Sequence, residues 1–170
     1  HCWIEGLSMT DNQGKELLIS KWFPITEVSV ESLRERSASN ALPPLYFLHV
    51  WFARRPLAAS RAAVLGSILP DNATREQFLN LMGIPHDVDL QKAQDKFLEA
   101  KSAGIKLDKN PFFWRRAFEH IPTEKEIYEL QNSIKTIWNT ESPLIVDPMA
   151  GGGSIPFEAM RIGLPVVSGD

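Results

Sequence analysis

The chain has 170 residues, of which 44% are hydrophobic and 23% are charged, so the composition excludes a protein that is disordered throughout. A net charge of -3 argues against a protein wholly devoted to coating nucleic acid, and the single Cys2 excludes both an internal disulfide framework and a multi-cysteine zinc site. The sequence has no apolar run near the ~20 residues of a membrane span and no secretory leader, so we expect a cytoplasmic protein without a membrane partner.

Residues 1–69 are predicted to form an N-terminal region that ends in a helix. Apolar and polar residues alternate from Trp22 to Val30, which predicts a short strand. Pro56 has the fixed φ that suits the first position of a helix, and the spacing of apolar residues predicts that this helix runs from Leu57 to Leu69. The many alanines of this helix favour close packing against a neighbouring element.

Arginines cluster around the start of that helix, at Arg54, Arg55 and Arg61. A guanidinium group can bind a carboxylate or a phosphate through two parallel hydrogen bonds. Two interpretations are open for these side chains. They bind a ligand, or they brace the helix against surface carboxylates.

Residues 70–143 are predicted to be a helical insertion. A capped helix is expected to end before Gly83, and a second helix is expected from Asp89 to Ala103. Thr123 and Glu126 have the spacing of a capping box, which predicts the start of a further helix.

Residues 144–170 have the pattern of a strand, a glycine loop, a helix and a second strand. Branched apolar residues lead to Asp147, and Gly151, Gly152 and Gly153 follow it. Glycines let the backbone take positive φ and approach a ligand closely, while the first turn of the next helix offers free N–H groups. Because open α/β sheets bind ligands at the carboxyl ends of their strands, this pattern predicts a cofactor site.

The identity of the cofactor is limited by what the glycine loop lacks. No lysine occurs between Asp147 and Asp170, which argues against a phosphate-binding P-loop. Pro156 stands where a dinucleotide fingerprint has its third glycine, so nicotinamide binding is less favoured but stays open. An acid followed by Pro148 suits a ligand with a cationic amino group, such as S-adenosylmethionine.

Several blocks of the chain resemble amino-group DNA methyltransferases, which make N6-methyladenine or N4-methylcytosine. The segment Asp147-Pro148-Met149-Ala150-Gly151-Gly152-Gly153 is similar to their Asp-Pro-Phe-x-Gly-x-Gly motif. Residues 164–170 resemble the second strand of that fold, whose terminal acid holds the ribose of the cofactor. Residues 49–62 and 113–118 resemble the N-terminal region of large adenine-specific DNA methylases that carry a domain of unknown function. The likeness spans residues 22–170.

This resemblance implies a fold, a cofactor and a set of site residues. The implied fold class is α/β, the start of a Rossmann-like sheet of an S-adenosylmethionine-dependent methyltransferase, preceded by a largely helical N-terminal region. Arg55-Pro56 resembles a basic residue and a proline that hold the methionine end of the cofactor in such enzymes. The cofactor-binding residues implied are Asp147, Pro148, Met149, Ala150, Gly151, Gly152, Gly153, Asp170, Arg55 and Pro56. The histidines lack metal-ligand spacing, so no metal site is expected.

The family's catalytic tetrad, Asp/Asn/Ser-Pro-Pro followed by an aromatic residue, does not occur in this chain. We therefore expect the chain to be the front part of a longer DNA methyltransferase and to lack activity alone. The rest of the protein or a partner subunit would complete the domain, and DNA would be the substrate. The sequence leaves open whether the biological setting is restriction–modification, phage defence or regulation.

Two functions of other classes stay open from the sequence. One is a nicotinamide-dependent oxidoreductase that uses the same strand, loop and helix. The other is a non-catalytic binding module, in which the helical insertion recruits a partner through residues such as Trp114 and Arg116.

Overall fold

The computed structural model describes residues 16–37, 42–48, 51 and 53–170. The first 15 residues of the predicted N-terminal region lie outside these ranges. The helices are α1 (Leu18–Lys21), α2 (Ile25–Arg36), α3 (Leu45–Leu48), α4 (Leu57–Ile68), α5 (Arg75–Met82), α6 (Leu90–Ser102), α7 (Glu124–Trp138) and α8 (Ser154–Arg161). A short 3-10 helix occupies Ala117–Glu119, and the strands are β1 (Ile145–Asp147) and β2 (Val166–Ser168).

The predicted fold class is wrong, because the described part of the chain is mainly helical rather than the start of a Rossmann-like sheet. Its sheet consists of two short parallel strands, with Ile145 opposite Val166 in the register. The residues of the main hydrophobic cluster lie largely on helices, and these two strand residues pack only at its margin. Helix-on-helix packing therefore forms the core.

Helix α4 is the centre of that core, and it packs against α1, α2, α5 and α8. Leu57, Ala62, Leu65 and Ile68 are almost fully buried, and most of the other α4 residues are buried as well. A helix that is apolar over most of its circumference is typical of a protein interior. The small Ala62 leaves room for neighbouring helices to approach closely, as the alanine content predicts.

The strand predicted from Trp22 to Val30 is replaced by helix α2. Glu27, Glu31 and Glu35 are buried, and they recur at the four-residue spacing of one helix face. A hydrophobicity pattern counts these carboxylates as solvent-facing, so the helical period is hidden from the sequence. What remains visible is an apparent alternation of apolar and polar residues.

The helices of residues 70–143 begin and end close to where local signals place them. Thr74 accepts a hydrogen bond from the Gln77 N–H at the start of α5, and Gly83 ends that helix with a left-handed φ of 69°. Thr123 and Glu126 form both hydrogen bonds of the capping box of α7. Among the residues described, no helix has the length and apolar character needed to cross a membrane.

Candidate functional site: a cleft at the glycine loop

The glycine loop connects β1 to α8, and backbone hydrogen bonds hold its start against the residue that follows β2. The N–H of Ala150 donates to the Gly169 carbonyl at 2.9 Å, and the N–H of Gly169 donates to the Asp147 carbonyl at 3.0 Å. Gly151 and Gly153 have φ values of 50° and 72°, in the left-handed region that favours glycine. The order of strand, loop, helix and strand agrees with the sequence prediction for this segment.

The two acidic residues at the strand ends bond to the loop itself. The Oδ1 atom of Asp147 accepts a hydrogen bond from the Met149 N–H at 3.2 Å, which is a local turn of the kind that aspartate favours. Asp170, past the end of β2, accepts a hydrogen bond from the Gly151 N–H at 3.3 Å. Both carboxylates therefore help to shape the loop.

A cleft of about 160 Å³ opens beside this loop. It is lined by Trp51, Ala53, Arg55, Met149, Ala150, Gly151, Gly152, Ser154 and Asp170. The structure thus brings Arg55 together with the glycine loop and Asp170, although residues 70–143 separate them in sequence. Four other predicted site residues, Asp147, Pro148, Gly153 and Pro56, are not part of the lining.

Trp51 lies directly on the glycines, and the sequence prediction missed it as a site residue. A Cβ atom at Gly151 would lie 3.1 Å from the Trp51 Nε1, and one at Gly152 would lie 3.4 Å from the Trp51 Cβ. The missing side chains at these two positions thus make room for the indole in this structure. A signal existed, since Trp51 belongs to the segment of residues 49–62 that carries the resemblance. His49, Val50 and Phe52 of that segment lie outside the described residues.

Arg55 is held at the cleft through its backbone and through the start of α4. The Pro56 cap position offers no side-chain hydrogen bond, and the Glu35 carboxylate from α2 accepts instead from the N–H groups of Leu57 at 2.8 Å and Ala58 at 3.1 Å. The Tyr46 hydroxyl lies 2.7 Å from the Glu35 Oε1 and 2.8 Å from the Arg55 carbonyl oxygen. Burial raises the pKa of Glu35, and these hydrogen bonds oppose that rise.

A buried ion pair joins α4 to α8 behind the loop. The Arg61 Nε donates to the Glu158 Oε2 at 2.6 Å, and the Arg161 Nη1 donates to the Glu158 Oε1 at 2.8 Å. The side chains of Arg61 and Glu158 are 1% and 0% exposed. Burial lowers the pKa of Arg61, and the charge of Glu158 opposes that shift. Arg61 therefore braces the helix that follows the loop, against a buried carboxylate rather than the surface carboxylate considered from the sequence.

Trp114, a candidate of the binding-module alternative, is tied to α2. Its Nε1 donates to the Glu31 Oε1 at 2.8 Å, and the Ala117 N–H donates to the other oxygen of Glu31 at 3.0 Å. The Arg34 guanidinium lies 4.8 Å from the centre of the Trp114 ring. Trp114 is half-buried in this arrangement.

Within the described ranges, no group of three or more histidine, cysteine, aspartate or glutamate residues is arranged to hold a metal ion. The polar groups that line the cleft itself are one carboxylate, one guanidinium, a hydroxyl, the indole N–H of Trp51 and backbone groups. Such donors suit a polar organic ligand with hydroxyl and charged groups better than a metal ion.

Residues 22–99 are similar to a family described as Protein of unknown function (DUF1156). The matched segment contains Trp51, Arg55 and α4, and it ends before the glycine loop. No curated protein and no solved structure matches the chain.

Proposed function

We propose that this chain supplies the cofactor-binding part of an S-adenosylmethionine-dependent DNA methyltransferase that acts on an exocyclic amino group, with the N6 amine of adenine as the expected target. The observation that carries the proposal is the meeting of Arg55, Asp170 and the glycine loop at one cleft. Arg55 and the glycine loop are far apart in sequence, and both belong to the cofactor site that the resemblance implies.

The chemistry of the cleft complements the parts of S-adenosylmethionine. The exposed Asp170 carboxylate can accept hydrogen bonds from ribose hydroxyls, and the Arg55 guanidinium can pair with the carboxylate of the methionine part. The Trp51 indole can stack on the adenine ring. The cleft is smaller than the roughly 300–1,000 Å³ of typical ligand pockets. We therefore expect the rest of the protein or a partner subunit to cover the remainder of the cofactor.

When bound, S-adenosylmethionine supplies an activated methyl group. The residues of this chain bind and orient that cofactor, and orientation can account for much of the rate of a reaction between two bound groups. The target base would have to leave the duplex to reach the site, at a cost of about a few kcal/mol of unpairing and unstacking. The residues that accept the target amine would come from outside this chain, since the catalytic tetrad does not occur in it.

Calorimetric titration with S-adenosylmethionine and S-adenosylhomocysteine tests the proposal. We expect saturable binding that is weakened about tenfold or more by Asp170→Ala or Arg55→Ala, because each change removes one charged hydrogen-bonding partner. Arg54→Ala is the matched control, since Arg54 is the exposed neighbour of Arg55 and does not line the cleft. Circular dichroism would verify that each variant is folded.

Two outcomes would count against the proposal. Failure of both ligands to bind the folded chain and also a longer protein that contains it would refute cofactor binding. Saturable binding of NAD in place of S-adenosylmethionine would support the oxidoreductase alternative instead.

A further inference from the structure

A second cleft, which the proposed cofactor site does not use, lies between α2, α6 and the segment of residues 110–116. Its volume is about 200 Å³. The polar side chains that line it include Arg34, Gln94, Lys101, Asn110 and Arg116. We call it the α2–α6 cleft.

The charge of the α2–α6 cleft is positive, although the chain as a whole has a net charge of -3. Arg34, Lys101 and Arg116 line it, and no aspartate or glutamate is among the described lining residues. Two carboxylates pair with these cations. Glu31 pairs with Arg34 and is fully buried, and Glu119 is 3.9 Å from Arg116. Three cations and these two carboxylates sum to an excess of one positive charge at the cleft.

One polar group at the cleft lacks a partner within the part of the chain that the structure describes. The Arg116 Nε is buried and has no hydrogen-bond partner there. Because buried polar groups are almost always hydrogen-bonded, such a donor indicates a ligand that accepts hydrogen bonds. Gln94, which is 8% exposed, adds a side-chain amide to the lining.

Arg34, which lines the cleft, is held in place by several contacts of its guanidinium. Its Nη1 pairs with Glu31 and its Nη2 donates to the Trp114 carbonyl at 3.2 Å. Its guanidinium also lies 4.4 Å from the centre of the Phe112 ring. A guanidinium fixed before binding loses little conformational entropy when an anion arrives.

We propose that the α2–α6 cleft binds a phosphate group, and that this phosphate belongs to the backbone of DNA. Positive charge, amide donors and a rigid guanidinium together are the chemistry that proteins use for phosphate. The choice of DNA over a free phosphorylated molecule rests on the proposed function. Phe113 and Arg115 do not line the cleft, but they adjoin its lining residues Phe112 and Arg116 in sequence. Phe113 is 76% exposed and Arg115 is exposed as well, so this segment offers a ring for base stacking and a further cation.

Fluorescence anisotropy of a labelled oligodeoxynucleotide, single-stranded and duplex, measures this binding at two salt concentrations. Lys101→Ala and Gln94→Ala are expected to raise the Kd by about three- to tenfold, and Lys101→Ala should lower the salt slope by about one. Lys96→Ala is the matched control, because Lys96 is on the same helix and lines a different surface with Asp95 and Glu99. It should leave both quantities unchanged.

Competition separates the two sources of phosphate. Inorganic phosphate and a mononucleotide should displace the oligonucleotide only at concentrations far above its own Kd. Displacement at equal concentrations would assign the cleft to a free phosphorylated ligand and overturn the DNA assignment.

The proposal is also overturned if the folded chain does not bind DNA, or if Lys96→Ala weakens binding as much as Lys101→Ala does. The titration with S-adenosylmethionine is independent of these outcomes. If the chain binds the cofactor and does not bind DNA, the proposed cofactor binding stands. The assignment of the α2–α6 cleft to the DNA backbone is then refuted.

Discussion

Three buried glutamates each connect parts of the chain that are distant in sequence. Glu31 accepts hydrogen bonds from Trp114 and the Ala117 backbone, and Glu35 accepts from the start of α4. Glu158 pairs with Arg61 of α4 and with Arg161 of its own helix. A buried charge that loses its partner is strongly destabilising, so these residues are sensitive positions.

Arg61→Ala is expected to lower the free energy of unfolding by about 3–5 kcal/mol, since it leaves the Glu158 carboxylate buried with one cation fewer. Urea denaturation followed by tryptophan fluorescence measures this change. Lys135→Ala is the control, because Lys135 forms an ion pair of similar length, 2.7 Å, with Glu141 in solvent. A loss in Arg61→Ala no larger than in Lys135→Ala would contradict the prediction.

Gly83 and Gly104 are a matched pair for separating backbone strain from steric overlap. Both have left-handed φ values, 69° and 66°, but a Cβ at Gly83 would lie 2.3 Å from the Cβ of His120, whereas at Gly104 it would meet no atom within 4 Å. We expect Gly104→Ala to lower the free energy of unfolding by about 1 kcal/mol, because alanine is strained at a left-handed φ. Gly83→Ala should lower it clearly more, because steric overlap with His120 adds to that strain. Melting temperatures of the two variants test this, and equal losses would show that the turn at His120 moves aside.

At the scale of elements, four of the described helices have their first N–H groups capped by a side chain, and they do so in two different ways. Helices α5, α6 and α7 are capped by a side chain at their own N-cap, Thr74, Asp89 and Thr123. Helix α4 is capped by Glu35 of another helix. Its cap therefore also joins α2 to α4 and sets where Arg55 lies relative to the glycine loop.

The two kinds of cap predict different losses. Thr123→Ala should lower the free energy of unfolding by about 1 kcal/mol, as expected of an exposed cap. Glu35→Ala should lower it by about 1–3 kcal/mol, because the N–H groups of Leu57 and Ala58 are then left buried without an acceptor. Denaturant titration of both variants measures the two losses, and a larger loss in Thr123→Ala would contradict the prediction.

At the scale of the whole molecule, one hydrophobic cluster takes residues from all three predicted segments. It includes Leu18 and Leu65 from residues 1–69, Phe78 and Ile134 from residues 70–143, and Ile162 from residues 144–170. Packing of α4 against α8 further joins the first segment to the last. The predicted segments thus share one core in the described part of the chain.

This shared core predicts a single cooperative unfolding transition. Far-UV circular dichroism reports the helices, and fluorescence reports the five tryptophans, at residues 3, 22, 51, 114 and 138, which are spread over the chain. The two signals should change at the same urea concentration. Separate midpoints would mean that the segment with the glycine loop unfolds independently of the helices.

The sequence alone was sufficient for features that depend on neighbouring residues. The capping box of Thr123 and Glu126 and the left-handed Gly83 require contacts within a few residues, so the local pattern determines them. The same holds for the turn of the glycine loop, where Gly151 and Gly153 have positive φ.

Only the tertiary structure decided which charged residues are buried and which residues form the clefts. Glu31, Glu35 and Arg61 are polar by type, and they are buried because their partners come from distant parts of the chain. Hydrophobic patterning does not account for such partners, so it predicts a strand at the start of α2. The fold class implied by the resemblance is wrong for a related reason, because helices of distant segments and not a sheet form the core. The contact of Trp51 with Gly151 was hidden for the same reason, because close approach between distant segments is a property of packing and not of local sequence.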